Sequence, residues 1–213
     1  MTVKAKICGL MNEDAVDAAV EAGAAMTGFV FFPPSPRSLS PERAAELTDR
    51  VPADVIKVAL SVDANDELLA EITASAGVDM MQLHGSETPD RVAEIRARFG
   101  LPVMKAVAIS GPQDVVRAHT YEPVVDYLMF DARPPKDATR PGGNALAFDW
   151  NLIAGEAWMK PWVLAGGLTP GNVGEAIRIS GAQAVDVSSG VEDTPGVKNV
   201  GKIQDFLTAV HGA

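Results

Sequence analysis

Short apolar runs alternate with segments of helical spacing along the whole chain, and this alternation constrains the fold more than any other feature. Each run is bounded by Gly, Pro or charged residues, which is typical of buried β-strands. Eight such runs occur in the 213 residues. The predicted strands span Val3–Cys8, Thr27–Phe31, Ile56–Val62, Val78–Leu83, Val103–Ala108, Val125–Phe130, Trp162–Leu164 and Ala184–Val187.

Six segments between these runs carry apolar residues at helical spacing. They span Glu13–Ala22, Pro41–Arg50, Asp66–Ala76, Pro89–Phe99, Pro170–Ile179 and Gly201–Val210. In three of them a proline opens the first turn, and Ser40, Thr88 or Thr169 precedes it as the predicted N-cap. Strand followed by helix, repeated about eight times, predicts parallel strands with helical crossovers.

An array of eight such units closes into a barrel, and the alternative is an open doubly wound sheet. The glycine-rich dinucleotide fingerprint is missing after the first strand, where Cys8-Gly9-Leu10 holds one glycine. This lowers the expectation of nucleotide binding, but periodicity alone does not separate the two folds. Of the two, our prediction is an α/β fold with a single (β/α)8-barrel domain over residues 1–213.

The net charge of −10 and the pI of about 4.7 disfavour nucleic acid and anionic lipid as partners. The N-terminal segment lacks the pattern of a signal peptide, and no apolar stretch is long enough for a membrane helix. We expect a cytoplasmic protein, monomeric or homodimeric, that acts on a small molecule. One Cys and three scattered His form no metal constellation, so we predict neither metal nor cofactor.

Cys8 ends the first predicted strand, on the side where barrel active sites lie. A lone cysteine is often only a small buried hydrophobe, but a neighbouring cation would favour its thiolate. Strand alternation places Lys6 on the same face as Cys8. Because a lysine inside a barrel needs a partner, we predict an ion pair between Lys6 and Asp186, on the strand that closes against the first.

Asp131 follows the sixth predicted strand in an apolar context, Leu128-Met129-Phe130. An isolated Asp there is usually a cap or loop residue. A partly desolvated carboxyl, however, has a raised pKa and acts as an acid. Strands one and six are three positions apart around an eight-stranded ring, so the thiol and the carboxyl would face each other across the mouth. Such a pair suits acid/base catalysis.

Three glycine-containing turns could hold an anion through backbone N–H groups. They are Gly142-Gly143-Asn144, within the long irregular stretch 131–147, Gly166-Gly167 and Ser188-Ser189-Gly190. A Gly-Gly pair by itself is usually only a turn, but barrels commonly bind phosphate after strands seven and eight. Arg37, in a proline-stiffened loop, is a candidate clamp for a carboxylate, and His84 is a candidate to line the same mouth.

Taken together, these residues resemble the phosphoribosylanthranilate isomerase family. The resemblance covers essentially the whole chain and is most specific in Lys6-Ile7-Cys8-Gly9 and in Asp186-Val187-Ser188-Ser189-Gly190-Val191-Glu192. The other matching motifs include Ser35-Pro36-Arg37, Gln82-Leu83-His84-Gly85, Phe130-Asp131-Ala132 and Leu164-Ala165-Gly166-Gly167-Leu168.

The resemblance implies a (β/α)8 barrel and an Amadori rearrangement in tryptophan biosynthesis, without a cofactor. The substrate would be N-(5-phosphoribosyl)anthranilate and the product 1-(2-carboxyphenylamino)-1-deoxyribulose 5-phosphate. Cys8 matches the general base, Asp131 the general acid, and Arg37 the contact to the anthranilate carboxylate. The chain departs from the family's usual Gly-Gly-Thr-Gly at Gly142-Gly143-Asn144-Ala145.

Two other functions are compatible with parts of this pattern. One is the related aminoribose-phosphate isomerase of histidine biosynthesis, which resembles this family but has a carboxylate at the position of Cys8. The other is a non-catalytic barrel that binds a sugar phosphate. Binding alone would require neither Cys8 nor Asp131, so the retention of both disfavours it.

Overall fold

The structure, a computed structural model, describes residues 2–132 and 147–213. Eight parallel strands, β1 to β8, close into one barrel in sequence order, with β1 paired to both β2 and β8. The closed ring confirms the predicted (β/α)8 class and excludes the open doubly wound sheet. The strands span Lys4–Cys8, Met26–Phe31, Ile56–Ser61, Met80–Leu83, Val103–Ile109, Tyr127–Ala132, Trp162–Leu164 and Ala184–Val187.

Helices surround the barrel, and most begin at a side chain that accepts a hydrogen bond from a backbone N–H of the first turn. The described α-helices, α1 to α7, span Glu13–Glu21, Pro41–Thr48, Asp66–Ser75, Pro89–Phe99, Pro112–His119, Val173–Ser180 and Val200–His211. The capping side chains are those of Asn12, Ser40, Asn65, Thr88 and Asn199. The predicted caps Ser40 and Thr88 are therefore confirmed.

Two helices differ from the sequence prediction. Helix α5 was missed, because it is short and the residue before it, Gly111, offers no capping side chain. Helix α6 begins at Val173, so the predicted start at Pro170 and the predicted cap Thr169 were wrong. A Pro-Gly pair favours a turn, and the Asn172 side chain holds that turn by accepting from Thr169 N–H at 2.7 Å.

The core has two layers, one inside the barrel and one between barrel and helices. Because strand side chains alternate, Met104 and Ala106 of β5 face inward while Lys105 faces the helices. Lys6 is in register with Met26 and Asp186, so it also faces inward. The inner apolar cluster contains Met26, Val58, Met80, Met104, Ala106, Met129, Val163, Ala165 and Ala184.

A small hairpin follows β8 and packs against the loop after β2. Its strands, β9 and β10, span Glu192–Thr194 and Val197–Lys198. Gly196 forms the turn with φ of +89°, and a β-carbon there would lie 2.8 Å from the Pro36 carbonyl oxygen. The hairpin therefore lies beside Arg37. None of the helices in the two described ranges is long and apolar enough to cross a lipid bilayer.

Candidate active site

The thiol of Cys8 and the carboxyl of Asp131 both lie at the carboxyl-terminal rim of the barrel. Cys8 is the last residue of β1, and Asp131 is the penultimate residue of β6. All eight strands run parallel, so these two strand ends belong to the same face. Both side chains are largely withdrawn from solvent, since Cys8 is 3% and Asp131 8% exposed.

An ion pair inside the barrel lies directly beneath the thiol. Lys6 Nζ donates to Asp186 Oδ1 at 2.8 Å, and Lys6 is fully buried, so the predicted pair is confirmed. A β-carbon at Gly28 would lie 2.9 Å from Cys8 Sγ and 3.0 Å from Lys6 Nζ. Only glycine therefore leaves room for the thiol and the ammonium group side by side.

The pKa values of this cluster reflect burial as well as charge. Burial raises the pKa of the Cys8 thiol, and the attraction of the nearby Lys6 ammonium offsets this only in part. Burial opposes the charge on Lys6, but the attraction of Asp186 and Cys8 outweighs it and raises the pKa of Lys6. The cation anticipated beside Cys8 is present, yet burial has the larger effect and favours the neutral thiol.

The ionisation of Cys8 is directly measurable, because it is the one cysteine in the sequence. We expect its alkylation by iodoacetamide to accelerate with a midpoint above the ordinary thiol pKa of about 8.5, since burial disfavours the thiolate. Replacing Lys6 by methionine should move the midpoint higher still, because the favourable charge is removed. A midpoint below about 8.5 in the folded wild-type protein would contradict this assignment.

The Lys6–Asp186 pair should also contribute to the stability of the fold, which a substitution of Lys6 can test. We expect Lys6→Met to lower the free energy of unfolding by about 3–5 kcal/mol, because Asp186 then stays buried without its partner. Urea denaturation followed by circular dichroism measures the loss. Adding Asp186→Asn removes the unpaired charge and should restore part of it. An unfolding midpoint of Lys6→Met equal to wild type would refute the stabilising role.

Asp131 is held from two sides. Its Oδ1 accepts from the Ala132 N–H at 2.7 Å, and its Oδ2 lies 3.2 Å from His84 Nε2. A β-carbon at Gly166, whose φ is +89°, would lie 3.0 Å from Oδ1 and 2.6 Å from Ala132 N. Gly166 thus supplies both a left-handed turn and the space that the carboxyl occupies.

His84 is oriented in turn by Gln82 of β4. Gln82 Nε2 lies 3.0 Å from His84 Nδ1 and 3.2 Å from Met129 Sδ. If the amide donates to Nδ1, the ring proton is on Nε2 and points at Asp131. Sequence reasoning did not assign Gln82 this role. A polar residue within a buried apolar strand needs a partner, and that was the available signal.

Arg37 is 3% exposed, and one edge of its guanidinium is already occupied. Nε and Nη2 donate to the two carboxylate oxygens of Glu192 at 2.7 and 2.6 Å. Within the described ranges no hydrogen bond involves Nη1, which leaves the donors of that nitrogen available to a ligand. A β-carbon at Gly9 would lie 2.5 Å from Arg37 Cδ, which places the arginine stem next to the residue after Cys8.

Glu192 and Lys198 of the hairpin form a charged cluster with Arg37 that sequence reasoning did not single out. Lys198 Nζ donates to Glu192 Oε1 at 2.7 Å and to the Ser188 carbonyl oxygen at 3.0 Å. Burial alone would raise the pKa of Glu192, but Arg37 and Lys198 outweigh it and lower that pKa. Pro195-Gly196 lies between the two charged residues, and such a pair indicates a turn rather than a helix.

Two of the three predicted anion-binding turns lie at the same rim, and the third, Gly142-Gly143-Asn144, falls outside the described residues. Gly166 and Gly167 follow β7 with φ of +89° and +63°, and Ser188 and Ser189 follow β8. A β-carbon at Gly190 would lie 1.9 Å from the Leu168 carbonyl oxygen, so the two loops are in close contact.

The remaining predicted binding residues fall into two groups. Gly143 and Asn144 lie outside the described residues. Asp186, predicted to bind substrate, is 9% exposed, and one of its carboxylate oxygens is bonded to Lys6. Among residues 2–132 and 147–213, no group of three or more His, Cys, Asp or Glu side chains is arranged to hold a metal ion.

A closed parallel barrel with a thiol, a carboxyl and glycine-rich turns at its carboxyl-terminal rim has the construction of a (β/α)8-barrel enzyme. Residues 5–209 match the family model of N-(5'-phosphoribosyl)anthranilate (PRA) isomerase. The chain belongs to this family.

Individual relatives agree with the family match. The N-(5'-phosphoribosyl)anthranilate isomerase of Paramagnetospirillum magneticum is 55% identical over 212 residues, which cover 100% of this chain and 99% of that protein. The crystal structure of phosphoribosyl anthranilate isomerase from Thermotoga maritima is similar with a TM-score of 0.89 at 35% identity, covering 99% of this chain and 100% of that one. A complex of such an isomerase with reduced 1-(o-carboxyphenylamino)-1-deoxyribulose 5-phosphate gives 0.85 at 34% identity, with 99% and 100% covered.

Proposed function

We propose that this chain isomerises N-(5'-phosphoribosyl)anthranilate to 1-(2-carboxyphenylamino)-1-deoxyribulose 5-phosphate by general acid/base catalysis, with Asp131 as the acid and Cys8 as the base. The isomerase activity, a step of tryptophan biosynthesis, follows from membership of the family. The observation that supports the two roles is the placement of both buried groups at one rim of a parallel barrel.

The reaction proceeds in three steps: opening of the ring, removal of the C2 proton and tautomerisation. Asp131 donates its proton to the furanose ring oxygen, the bond from that oxygen to C1 breaks, and the anthranilate nitrogen forms a Schiff base with C1. Cys8 as thiolate then removes the proton from C2. The C2–H electrons form the C1–C2 double bond, and the π electrons of the C1–N bond return to the nitrogen of the protonated Schiff base, which gives the enolamine. Tautomerisation of the enolamine to the ketone gives the product. A positioned acid or base of this kind contributes a factor of about 10²–10⁴ in rate.

The surroundings of each group suit its role. The thiolate that forms on Cys8 lies beside the Lys6 ammonium, which stabilises a negative charge in a site of low dielectric. Asp131 receives hydrogen bonds from its neighbouring N–H and faces His84, so its orientation is fixed before substrate arrives.

Binding uses the remaining rim residues. Arg37 receives the anthranilate carboxylate through Nη1, while Glu192 holds the other edge of its guanidinium. The turns Gly166-Gly167 and Ser188-Ser189-Gly190 receive the phosphate through backbone N–H groups, together with Gly143 and Asn144. His84 lines the space between these subsites. Asp186 contributes beneath this space through its ion pair with Lys6, next to Cys8. The substrate is a small molecule, and we place the protein in the cytoplasm.

The decisive experiment follows the loss of phosphoribosylanthranilate by fluorescence with purified protein. We expect turnover without added metal or organic cofactor, and unchanged turnover after treatment with a chelator. An absence of turnover by folded wild-type protein would refute the proposed function.

A further inference from the structure

We propose that the buried residues Lys105 and Glu87 are positioning residues, which hold His84 against Asp131 and so fix the carboxyl that protonates the substrate. This inference rests on the proposed function and extends it to the layer between the barrel and the helices. The observations come from β5, from the loops after β3 and β4, and from the turn after helix α5.

Lys105 is a buried cation in the layer between barrel and helices, where apolar side chains are the rule. It is 2% exposed, and burial lowers its pKa. Its Nζ donates to the carbonyl oxygens of Leu83 at 3.2 Å and of Gly85 at 2.8 Å. These are the two residues that flank His84, so a single ammonium group holds the backbone on both sides of the histidine.

The third acceptor of Lys105 is Glu87, which ties the same loop to its neighbour. Lys105 Nζ lies 2.9 Å from Glu87 Oε2, so three acceptors match the three protons of the ammonium group. The Glu87 carboxylate also accepts from Gly85 N–H at 3.0 Å and from Asp63 N–H at 2.9 Å. The Tyr121 hydroxyl donates to the Glu87 carbonyl oxygen at 3.0 Å.

The loop after β3 is locked in return by an unusual backbone conformation. Asp63 has φ of +46°, the one positive value at a non-glycine position among the described residues. Its Oδ1 accepts from Ser86 N–H at 2.7 Å and from the Ser86 hydroxyl at 3.0 Å. A β-carbon at Gly85 would lie 2.5 Å from Asp63 Cγ, so the two loops fit only with glycine there.

All these contacts converge on His84. The His84 N–H donates to the Ser61 carbonyl oxygen at 2.9 Å, which fixes its backbone on the third side. Its side chain then reaches Gln82 through Nδ1 and Asp131 through Nε2. A displacement of this loop would carry Nε2 away from the Asp131 carboxylate, because the side chain has only two torsions with which to compensate.

Stability alone does not account for such a network. A buried ion pair gains little over well-packed apolar residues, because desolvation offsets the Coulomb attraction. Leucine and valine fill the corresponding layer elsewhere, for example Leu128 and Val103. A charged network with several directional hydrogen bonds instead fixes a geometry, which acid catalysis requires.

The test is a double-mutant cycle between Lys105→Met and His84→Ala, read as kcat and KM separately. We expect each single substitution to lower kcat by roughly 10- to 100-fold with KM within about twofold, the size of effect that a misplacement near 1 Å produces. In the His84→Ala background, Lys105→Met should cause no further loss of kcat, because its effect passes through His84. His84→Gln retains a donor for Asp131 and should recover part of the rate.

A spectroscopic signature keeps the test independent of turnover. With three histidines in the sequence, ¹⁵N spectra of the imidazoles resolve His84. We expect the Nε2-protonated tautomer in wild type and a mixture of tautomers in Lys105→Met. Two other variants serve if Lys105→Met does not fold. Lys105→Met/Glu87→Gln leaves no unpaired charge, and Tyr121→Phe removes one hydrogen bond.

Leu47→Ala is the matched control, since it opens a cavity in the same layer beneath α2 and touches none of these loops. It should lower the melting temperature and leave kcat unchanged. Two results would overturn the proposal. One is a set of Lys105 variants that melt at lower temperature but keep the wild-type kcat and His84 tautomer. The other is a double variant whose loss of kcat equals the product of the two single losses. An inactive wild type would instead refute the proposed function, and the tautomer would still report on the network.

Discussion

Replacement of Cys8 by alanine is expected to lower kcat on phosphoribosylanthranilate by about 10²–10⁴-fold while KM changes little. A general base acts on the reacting proton in the transition state, so its removal affects turnover far more than binding. The cavity left by Sγ is small and lies next to Lys6, so the fold should persist. Fluorescence assays under saturating substrate, with equilibrium titration of a product analogue, separate the two effects.

Cys8→Ser is the matched control for shape, because it keeps a polar group of similar size that does not ionise at neutral pH. We expect it to be nearly as impaired as Cys8→Ala. The kcat/KM of wild type should also decline as pH falls from the alkaline range, because burial raises the pKa of the thiol and only the thiolate accepts the proton. A flat profile down to about pH 5, or a Cys8→Ala variant with wild-type kcat, would eliminate the thiol base.

Asp131→Asn is expected to cause a loss of the same order, about 10²–10⁴-fold in kcat, because an amide cannot protonate the furanose ring oxygen. Asparagine preserves the volume and can still accept the Ala132 N–H, so circular dichroism and the melting temperature should remain close to wild type. A substrate analogue should still bind, since Arg37 and the glycine turns are untouched.

The control for Asp131→Asn lies at the opposite end of the same strand. Asp126 precedes β6, accepts from Val103 N–H at 2.9 Å and pairs with Arg96. Asp126→Asn should therefore reduce stability modestly and leave kcat unchanged. Equal losses of turnover in the two variants would mean that Asp131 acts through folding, and the role of acid would have to be withdrawn.

The two substitutions should combine far less than multiplicatively. Acid and base serve one reaction sequence, so once either is removed the remaining rate depends mainly on binding and electrostatics. We expect the kcat of the Cys8→Ala/Asp131→Asn double variant to be close to that of the less active single variant. This result would distinguish a coupled pair at one rim from two groups that act independently.

Local sequence patterns were sufficient for the strands and for most helices. The runs ending at Cys8 and Leu83 were predicted with correct C-terminal ends, because apolar residues give way there to glycine or polar residues. Helix α5 was missed and α6 was started too early, since Gly111 gives no cap and Pro170-Gly171 forms a turn. The first error is a missed helix without a capping signal, and the second concerns an element end, where side-chain contacts decide between turn and helix.

The Lys6–Asp186 pair shows how far alternation carries a prediction of contacts. Period two along β1 and the adjacency of β1 and β8 in a closed ring were enough to pair residues 180 positions apart. Glu192, Lys198 and Gln82 were not assigned in this way. Their roles depend on a hairpin that folds back on Arg37 and on a rotamer within the barrel, and neither has a periodic signature.

The sequence itself determined the order of the strands and of most helices, because hydrophobic periodicity acts locally. Closure into one ring was decided by the pairing of β1 with β8, which periodicity alone does not distinguish from an open sheet. The thiol and the carboxyl at strand ends were also predicted from the sequence. The tertiary structure alone decided the electrostatic state of these groups. Three features depend on contacts between segments far apart in the sequence: the burial of Cys8, the ion pair of Glu192 with Arg37, and the hydrogen bonds from Lys105 to the backbone beside His84. Charge interactions vary with distance and solvent exposure, which no linear pattern encodes.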